Sequence, residues 1–161
     1  IPSSLVGSEM CIRDRLHGSW SPIGMGVGPN QGDEGWWSYP RDGSRGCWED
    51  DVFEFKADGT FTMDLGADTW LEGWQGVASE GCGAPVAPHV SADHTYSFNA
   101  SAMELTVNGD GAYVVLAKAH NSGEDGNSGG SIMYHVTSVT ETEMVLDLNY
   151  GNWWRLYLKK N

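Results

Sequence analysis

The sequence predicts one all-β antiparallel domain, a meander closed into a barrel or flattened into a β-sandwich, with about nine strands by the spacing of its turn signals. Three observations carry this. Apolar residues alternate with period two in short runs bounded by turn residues. No run sustains the i, i+3, i+4, i+7 spacing of an amphipathic helix. The 161 residues include 22 Gly and 8 Trp, a composition of turns and flat surfaces rather than of helix formers.

A first short strand is expected near Leu16–Trp20. Asp51–Lys56 (DVFEFK) and Thr60–Leu65 (TFTMDL) alternate on either side of Asp58-Gly59, a strong short-range hairpin signal. A strand near Thr69–Trp74 follows. His94–Phe98 and Met103–Val107 are joined through Asn99-Ala100-Ser101, and Asn108-Gly109 leads to an expected strand at Ala112–Ala117 (AYVVLA). Ser131–Val136, Glu143–Asn149 and Trp153–Lys159 complete the series. Ser21–Trp48, Gly76–Asp93 and His120–Gly130 read as long loops, and loops of such length in a compact domain are usually functional or mobile.

Residues 1–15 (IPSSLVGSEMCIRDR) have no apolar signal-peptide core. The run SEMCIRDR resembles a translated sequencing adapter at the end of a metagenomic reading frame. Residues 1–15 are therefore expected to be an artefact or a disordered extension, and 16–161 the all-β module. Two cysteines then remain, Cys47 and Cys82, and an even pair in an acidic, Trp-rich chain fits one disulfide in an exported protein. Such a bridge would tie two of the long loops together over one end.

The 9 Lys+Arg against 22 Asp+Glu give a net charge of -13. Nucleic acid is excluded as a partner because a phosphate backbone needs a basic footprint. No apolar run approaches the roughly 20 residues of a membrane-spanning helix.

Six of the eight tryptophans fall into three clusters: Trp36-Trp37, Trp70 with Trp74, and Trp153-Trp154. Neighbours on a strand face opposite ways, so one ring of Trp153-Trp154 should point inward and the other outward. Exposed indoles suit sugars, because a flat ring stacks on the C–H face of a pyranose while nearby carboxylates and amides bond its hydroxyls. Trp70 and Trp74 with Glu72 and Gln75 make one such mixture, and Trp36 and Trp37 with Gln31, Asp33 and Glu34 another.

Signals for other chemistry are weaker. Glu49–Glu54 (EDDVFE) has the form ExDxxE and resembles the catalytic strand of family 16 glycoside hydrolases. Period-two alternation sets Glu49 and Glu54 on opposite faces, whereas retaining hydrolysis needs carboxyl groups ~5–5.5 Å apart. Gly24–Pro29 (GMGVGP) is Gly-rich but no helix follows to make it a phosphate cradle. His89, His94, His120 and His135 show no metal-ligand spacing. No cofactor is expected; a structural calcium is conceivable at the Asn108–Gly111 or Glu124–Asn127 turns, which lack the D-x-[DN]-x-[DN]-G motif.

The ordered set GVGPNQGDEGWWS (Gly26–Ser38), DDVFEFKADGTF (Asp50–Phe61), TWLEGWQG (Thr69–Gly76), CGAPVAPH (Cys82–His89), LTVNGDGAYVVLAK (Leu105–Lys118) and NWWRLYLKK (Asn152–Lys160) resembles a module of marine Bacteroidetes proteins found beside family 16 glycoside hydrolase domains. The hairpin around FKADGTF also resembles lipocalin-like bacterial barrels. The first resemblance implies a non-catalytic carbohydrate-binding module of an exported polysaccharide-degrading system, at the cell surface or outside it and tethered to an upstream domain. Its partner would be a neutral glycan such as a β-glucan, since a charge of -13 repels acidic ones. Trp36, Trp37, Trp70 and Trp74 would stack on sugar rings, and Asp33, Glu72 and Gln75 would bond hydroxyls. The alternatives are a small glycoside hydrolase using Glu49 and Glu54, and a lipocalin-like small-ligand pocket or structural module.

Overall fold

The computed structural model describes residues 3–117 and 130–161. Its strands are β1 (Gly18–Gly28), β2 (Trp37–Ser38), β3 (Val52–Phe55), β4 (Thr60–Asp64), β5 (Thr69–Leu71), β6 (Gly81–Gly83), β7 (Ala92–Asn99), β8 (Glu104–Asn108), β9 (Ser131–Val139), β10 (Glu143–Asn149) and β11 (Trp153–Lys160). Eight of them run β1-β3-β4-β7-β8-β9-β10-β11, and β11 pairs back onto β1, so the sheet closes as an antiparallel barrel. Closure removes both sheet edges and decides for the barrel over the sandwich. β2 adds to the far end of β1, and β5 pairs with β6 as a separate ribbon.

Alternation drives the closure. Phe53 and Phe55 on β3, Phe61 and Met63 on β4 and Leu156 and Leu158 on β11 all point inward and are buried. Phe55 stacks on Phe61 with ring centres 4.9 Å apart. Trp154 packs partly buried against the core, while Trp153 lies on the outer face with its ring 5.7 Å from that of His135.

The sequence predicts no helix, yet Ser3–Leu16 forms α1, whose last turns pack against the core at one end of the barrel. Leu16 is buried, its carbonyl accepts from the Trp20 indole at 2.9 Å, and the Arg13 guanidinium lies over the Phe98 ring. The last turn of this helix carries the contacts that hold it to the barrel.

Other elements differ from expectation as well: the strand expected near Thr69–Trp74 ends at Leu71, and β2, the short helix Gly46–Glu49 and β6 lie within stretches that read as loop. β1 runs on to Gly28, well past Trp20, through residues that read as loop. Ala112–Ala117 is no strand. It is an irregular buried segment inserted into the other end of the barrel, which we call the mouth. There the Val114 N–H donates to the Tyr134 hydroxyl at 2.8 Å, and the Trp48 indole donates to the Val115 carbonyl at 2.7 Å. A continuous apolar run signals burial but not conformation. The expected loop His120–Gly130 falls, apart from Gly130, outside the described residues, as does the Glu124–Asn127 turn.

The strand register brings the connections 29–51, 65–91 and 109–117 to this mouth. The Cys47–Cys82 disulfide joins the short helix α2 (Gly46–Glu49) to β6 across it, with Cα atoms 6.0 Å apart. Among the described residues no helix is long and apolar enough to cross a membrane.

Candidate functional site

The loop carrying Trp36 and Trp37 is laid back along the outside of the barrel. Gly24, Gly26 and Gly28 share the outer face of β1, and their missing side chains form its bed. A Cβ on Gly28 would lie 2.5 Å from the Asp33 carbonyl oxygen, and one on Gly26 would collide with the Glu34 side chain. The GMGVG run is therefore a track for backbone, not a phosphate cradle.

A polar network pins the loop from below. Asp147, fully buried on β10, accepts from Arg155 Nε at 2.8 Å and Nη2 at 2.9 Å, from Thr137 at 2.5 Å and from Gln31 at 3.2 Å. Burial alone would raise this carboxyl, but the bonds from Arg155, Thr137 and Gln31 hold it below the usual carboxylate range. The Tyr157 hydroxyl donates to Glu34 at 2.8 Å. Asp33 spends one carboxylate oxygen on the Gly35 N–H. Thus Gln31 and Glu34 anchor the loop, and Asp33 shapes its turn.

The loop ends by delivering two indoles to the mouth. Trp36 is 61% exposed and Trp37 38%. Trp37 meets Trp154 edge-on at 6.2 Å. The Arg45 guanidinium lies 5.3 Å from the Trp37 ring centre and 4.0 Å from that of Trp70. Burial lowers the Arg45 pKa, opposed by Glu72 and Glu80, and the two indole faces supply the attraction that water would have given. Arg45 thereby covers one face of each ring. Trp70 is half-buried, and its indole N–H is buried with no partner among the described residues.

The segment TWLEGWQG is largely engaged with itself. Leu71 ends β5, and Gly73–Gln75 forms a single 3-10 turn. Gln75 Oε1 accepts from the Glu72 N–H at 2.9 Å, and the Trp74 indole donates to Glu72 Oε2 at 2.5 Å. Glu72 is buried and Trp74 half-buried. Of the four predicted ligands here, Trp74, Glu72 and Gln75 spend much of their bonding capacity on one another, and Trp70 has one face covered by Arg45. Trp37 is likewise engaged, by Trp154 and Arg45, which leaves Trp36 as the indole most open to a ligand.

The ExDxxE string is split. Glu49 ends α2 and accepts from the Tyr39 hydroxyl, whereas Glu54 faces outward on β3 beside Lys56. The unusual acid is Asp51 between them. It is fully buried, Thr69 donates to its Oδ2 at 2.5 Å, and Oδ1 has no partner among the described residues. Burial pushes its carboxyl up to about 8, against the pull of the Thr69 bond, and the negative charges of Asp50, Asp68 and Asp64 add to the rise. Asp51 is therefore neutral near pH 7. No group of three or more His, Cys, Asp or Glu among the described residues is arranged to hold a metal ion.

No protein-family model and no curated protein matches this sequence. Among solved structures it is similar to a lipocalin-like protein from Bacteroides uniformis, with 12% identity, a TM-score of 0.48, and coverage of 91% of this chain and 99% of that one. It is also similar to an uncharacterized protein from Bacteroides eggerthii, with 14% identity, a TM-score of 0.44 and the same coverage, 91% and 99%.

Among the described residues the space found inside the mouth is small. Trp48, Thr69, Trp70, Glu72 and Tyr113 bound a cavity of about 10 Å³, the room of a single water at most. Residues that sequence reasoning passed over shape the site: Arg45 between two indoles, and Asp147 and Arg155 beneath the loop; His89, weighed there only as a metal ligand, packs against Trp74. The alternate glycines were a signal for the loop's bed. Nothing local marks Arg45 or Asp147.

Proposed function

We propose that this domain is a non-catalytic carbohydrate-binding module that holds a neutral glycan, such as a β-glucan, at the rim of the barrel mouth. The observation that carries the reading is Trp36. Its indole is 61% exposed on a loop fixed to the barrel by partly buried polar bonds. A large apolar ring held out in water on a pinned support is suited to stacking. Trp37 continues the surface inward, and Asp33 precedes both indoles in the same loop. Trp70, Trp74, Glu72 and Gln75 serve chiefly to build the mouth behind it.

The buried segment at Ala112–Ala117 supports a surface site over a ligand pocket within the described interior. The separation of Glu49 from Glu54 onto different elements offers no support for hydrolysis. The net charge of -13 favours an uncharged glycan. A disulfide is compatible with an extracellular or cell-surface module of a polysaccharide-degrading system.

Affinity electrophoresis through gels holding laminarin, mixed-linkage glucan, agarose, alginate or no glycan tests this. Wild type should be retarded in a neutral glucan, and Trp36→Ala should migrate as in the empty gel. Losing a central aromatic anchor costs about 2 kcal/mol, roughly thirtyfold in Kd. Free migration of wild type in every gel, or undiminished retardation of Trp36→Ala, overturns the reading.

A further inference from the structure

We infer that the cleft between the Gly73–Gln75 turn and the Val86–His89 segment is a second sugar site, a pocket for a single pyranose ring in which His89 and Gln75 bond the hydroxyls. The glycan reading above supplies the ligand class; the site itself is separate from the Trp36 surface.

Trp74, Gln75, Val86, Ala87, Pro88 and His89 line a cavity of about 130 Å³. That is slightly less than the ~150 Å³ of a closed apolar cavity known to accept benzene; this cleft opens to solvent, so a pyranose would seat part of its ring in it and leave its other hydroxyls outside. None of these six side chains carries a full charge at neutral pH, so neither an anion nor a cation finds a counter-charge among them.

The polar groups are specific in sense. His89 is 2% exposed, and its Nδ1 lies 3.0 Å from the Gly111 carbonyl oxygen. A carbonyl can only accept, so Nδ1 carries the hydrogen and Nε2 presents a bare lone pair. Burial holds the imidazole below its ordinary pKa, which keeps it in this neutral form. Nε2 is buried and has no hydrogen-bond partner among the described residues. A buried acceptor left unfilled is costly, and such groups are normally completed by protein, by an ordered water or by another bound molecule.

Gln75 is the complement. Its Oε1 is occupied by the Glu72 N–H at 2.9 Å, so its Nε2 hydrogens are the part left for a ligand. Trp74 is fixed by its bond to Glu72 and meets His89 at right angles, ring centres 5.7 Å apart. The cleft thus offers a donor, an indole wall and the apolar surfaces of Val86 and Pro88. The unpartnered His89 acceptor is buried within a residue that lines it, so a hydroxyl reaches Nε2 only with a small shift of the lining. A pyranose has the matching set: a hydroxyl to donate, a hydroxyl oxygen to accept, and a C–H face. The arrangement depends on Gly111, whose backbone passes so near that a Cβ would lie 1.8 Å from the Pro88 carbonyl oxygen.

The test is an NMR titration of the full chain with D-glucose, following the His89 imidazole nitrogens and the Trp74 indole N–H. Saturable shifts of both are expected in wild type and, unchanged, in Trp36→Ala. Val86→Phe fills the cavity and should abolish them. Gln75→Glu keeps the acceptor for Glu72 but removes the donor, and should weaken glucose roughly tenfold; it keeps the test valid if Val86→Phe does not fold. Absence of the shifts in wild type, or their persistence with unchanged affinity in both pocket variants, overturns the pocket. Laminarin retardation without glucose shifts refutes the pocket alone. Glucose shifts without retardation leave the pocket standing and refute the Trp36 surface.

Discussion

Replacing Asp51 by asparagine should flatten the pH dependence of stability across the neutral range. Asp51 has its carboxyl raised by burial from 3.8 to about 8. Between those values the folded chain binds this proton and the unfolded chain does not. Stability contributed by the group is therefore complete below the unfolded pKa and is lost as pH rises, by about 1.4 kcal/mol per pH unit, levelling off above the folded pKa. The full span of about four units corresponds to roughly 6 kcal/mol, and about 4 kcal/mol is already lost at pH 7. The asparagine side chain never ionises, but its amide hydrogens need partners, and leaving one buried and unpaired costs about 1–3 kcal/mol. The variant should consequently be more stable than wild type at pH 7 by about 1–3 kcal/mol. Urea unfolding of both proteins in steps across this range gives the difference directly. It should climb with pH and level off near pH 8. Asp147 acts in a separate window: its depressed carboxyl supplies stability that is lost only as pH falls below the ordinary carboxylate range. Parallel pH curves for wild type and Asp51→Asn would refute the assignment of a buried neutral acid.

Three further outcomes follow from the same geometry. Asp147→Ala leaves Arg155 unpaired beneath the loop and should cost about 3 kcal/mol, the low end for a broken buried pair because Arg155 is partly solvated; chemical denaturation measures it. Gly28→Ala drives a Cβ against the Asp33 backbone and should cost about 1–3 kcal/mol and weaken glucan retardation, whereas Gly46→Ala, with open space around it, should leave retardation unchanged. Reducing the Cys47–Cys82 bridge, which spans 35 residues of sequence, should lower stability by about 4 kcal/mol on the chain-entropy account, read as a fall in the urea midpoint.

Much of this barrel is legible in its residues. The DVFEFKADGTF hairpin lies where Asp58-Gly59 places it, and the last three strands lie where their alternation places them. Trp153 and Trp154 take opposite faces as a strand requires. What escapes local reading is set by distant partners. Ala112–Ala117 looks like a strand because it is apolar and β-branched, but bonds from Trp48 and to Tyr134 draw it into the mouth. The second half of β1 is hidden because Gly24, Gly26 and Gly28 have no side chains to alternate. α1 lacks a helical stripe and is held by the contacts of Leu16 and Arg13. In the site, exposure of Trp36 and Trp37 follows from their density in a Gly-rich loop. The capture of Glu72 by Trp74, and the insertion of Arg45 between Trp37 and Trp70, depend on contacts made only after folding.

The most direct test of the central claim is isothermal titration of a β-glucan oligosaccharide into wild type and Trp36→Ala. Saturable heat with wild type, and a Kd about thirtyfold weaker for the variant at unchanged stability, is the result expected of a glycan-binding rim. Equal affinity of the two proteins, or no heat with either, would contradict it.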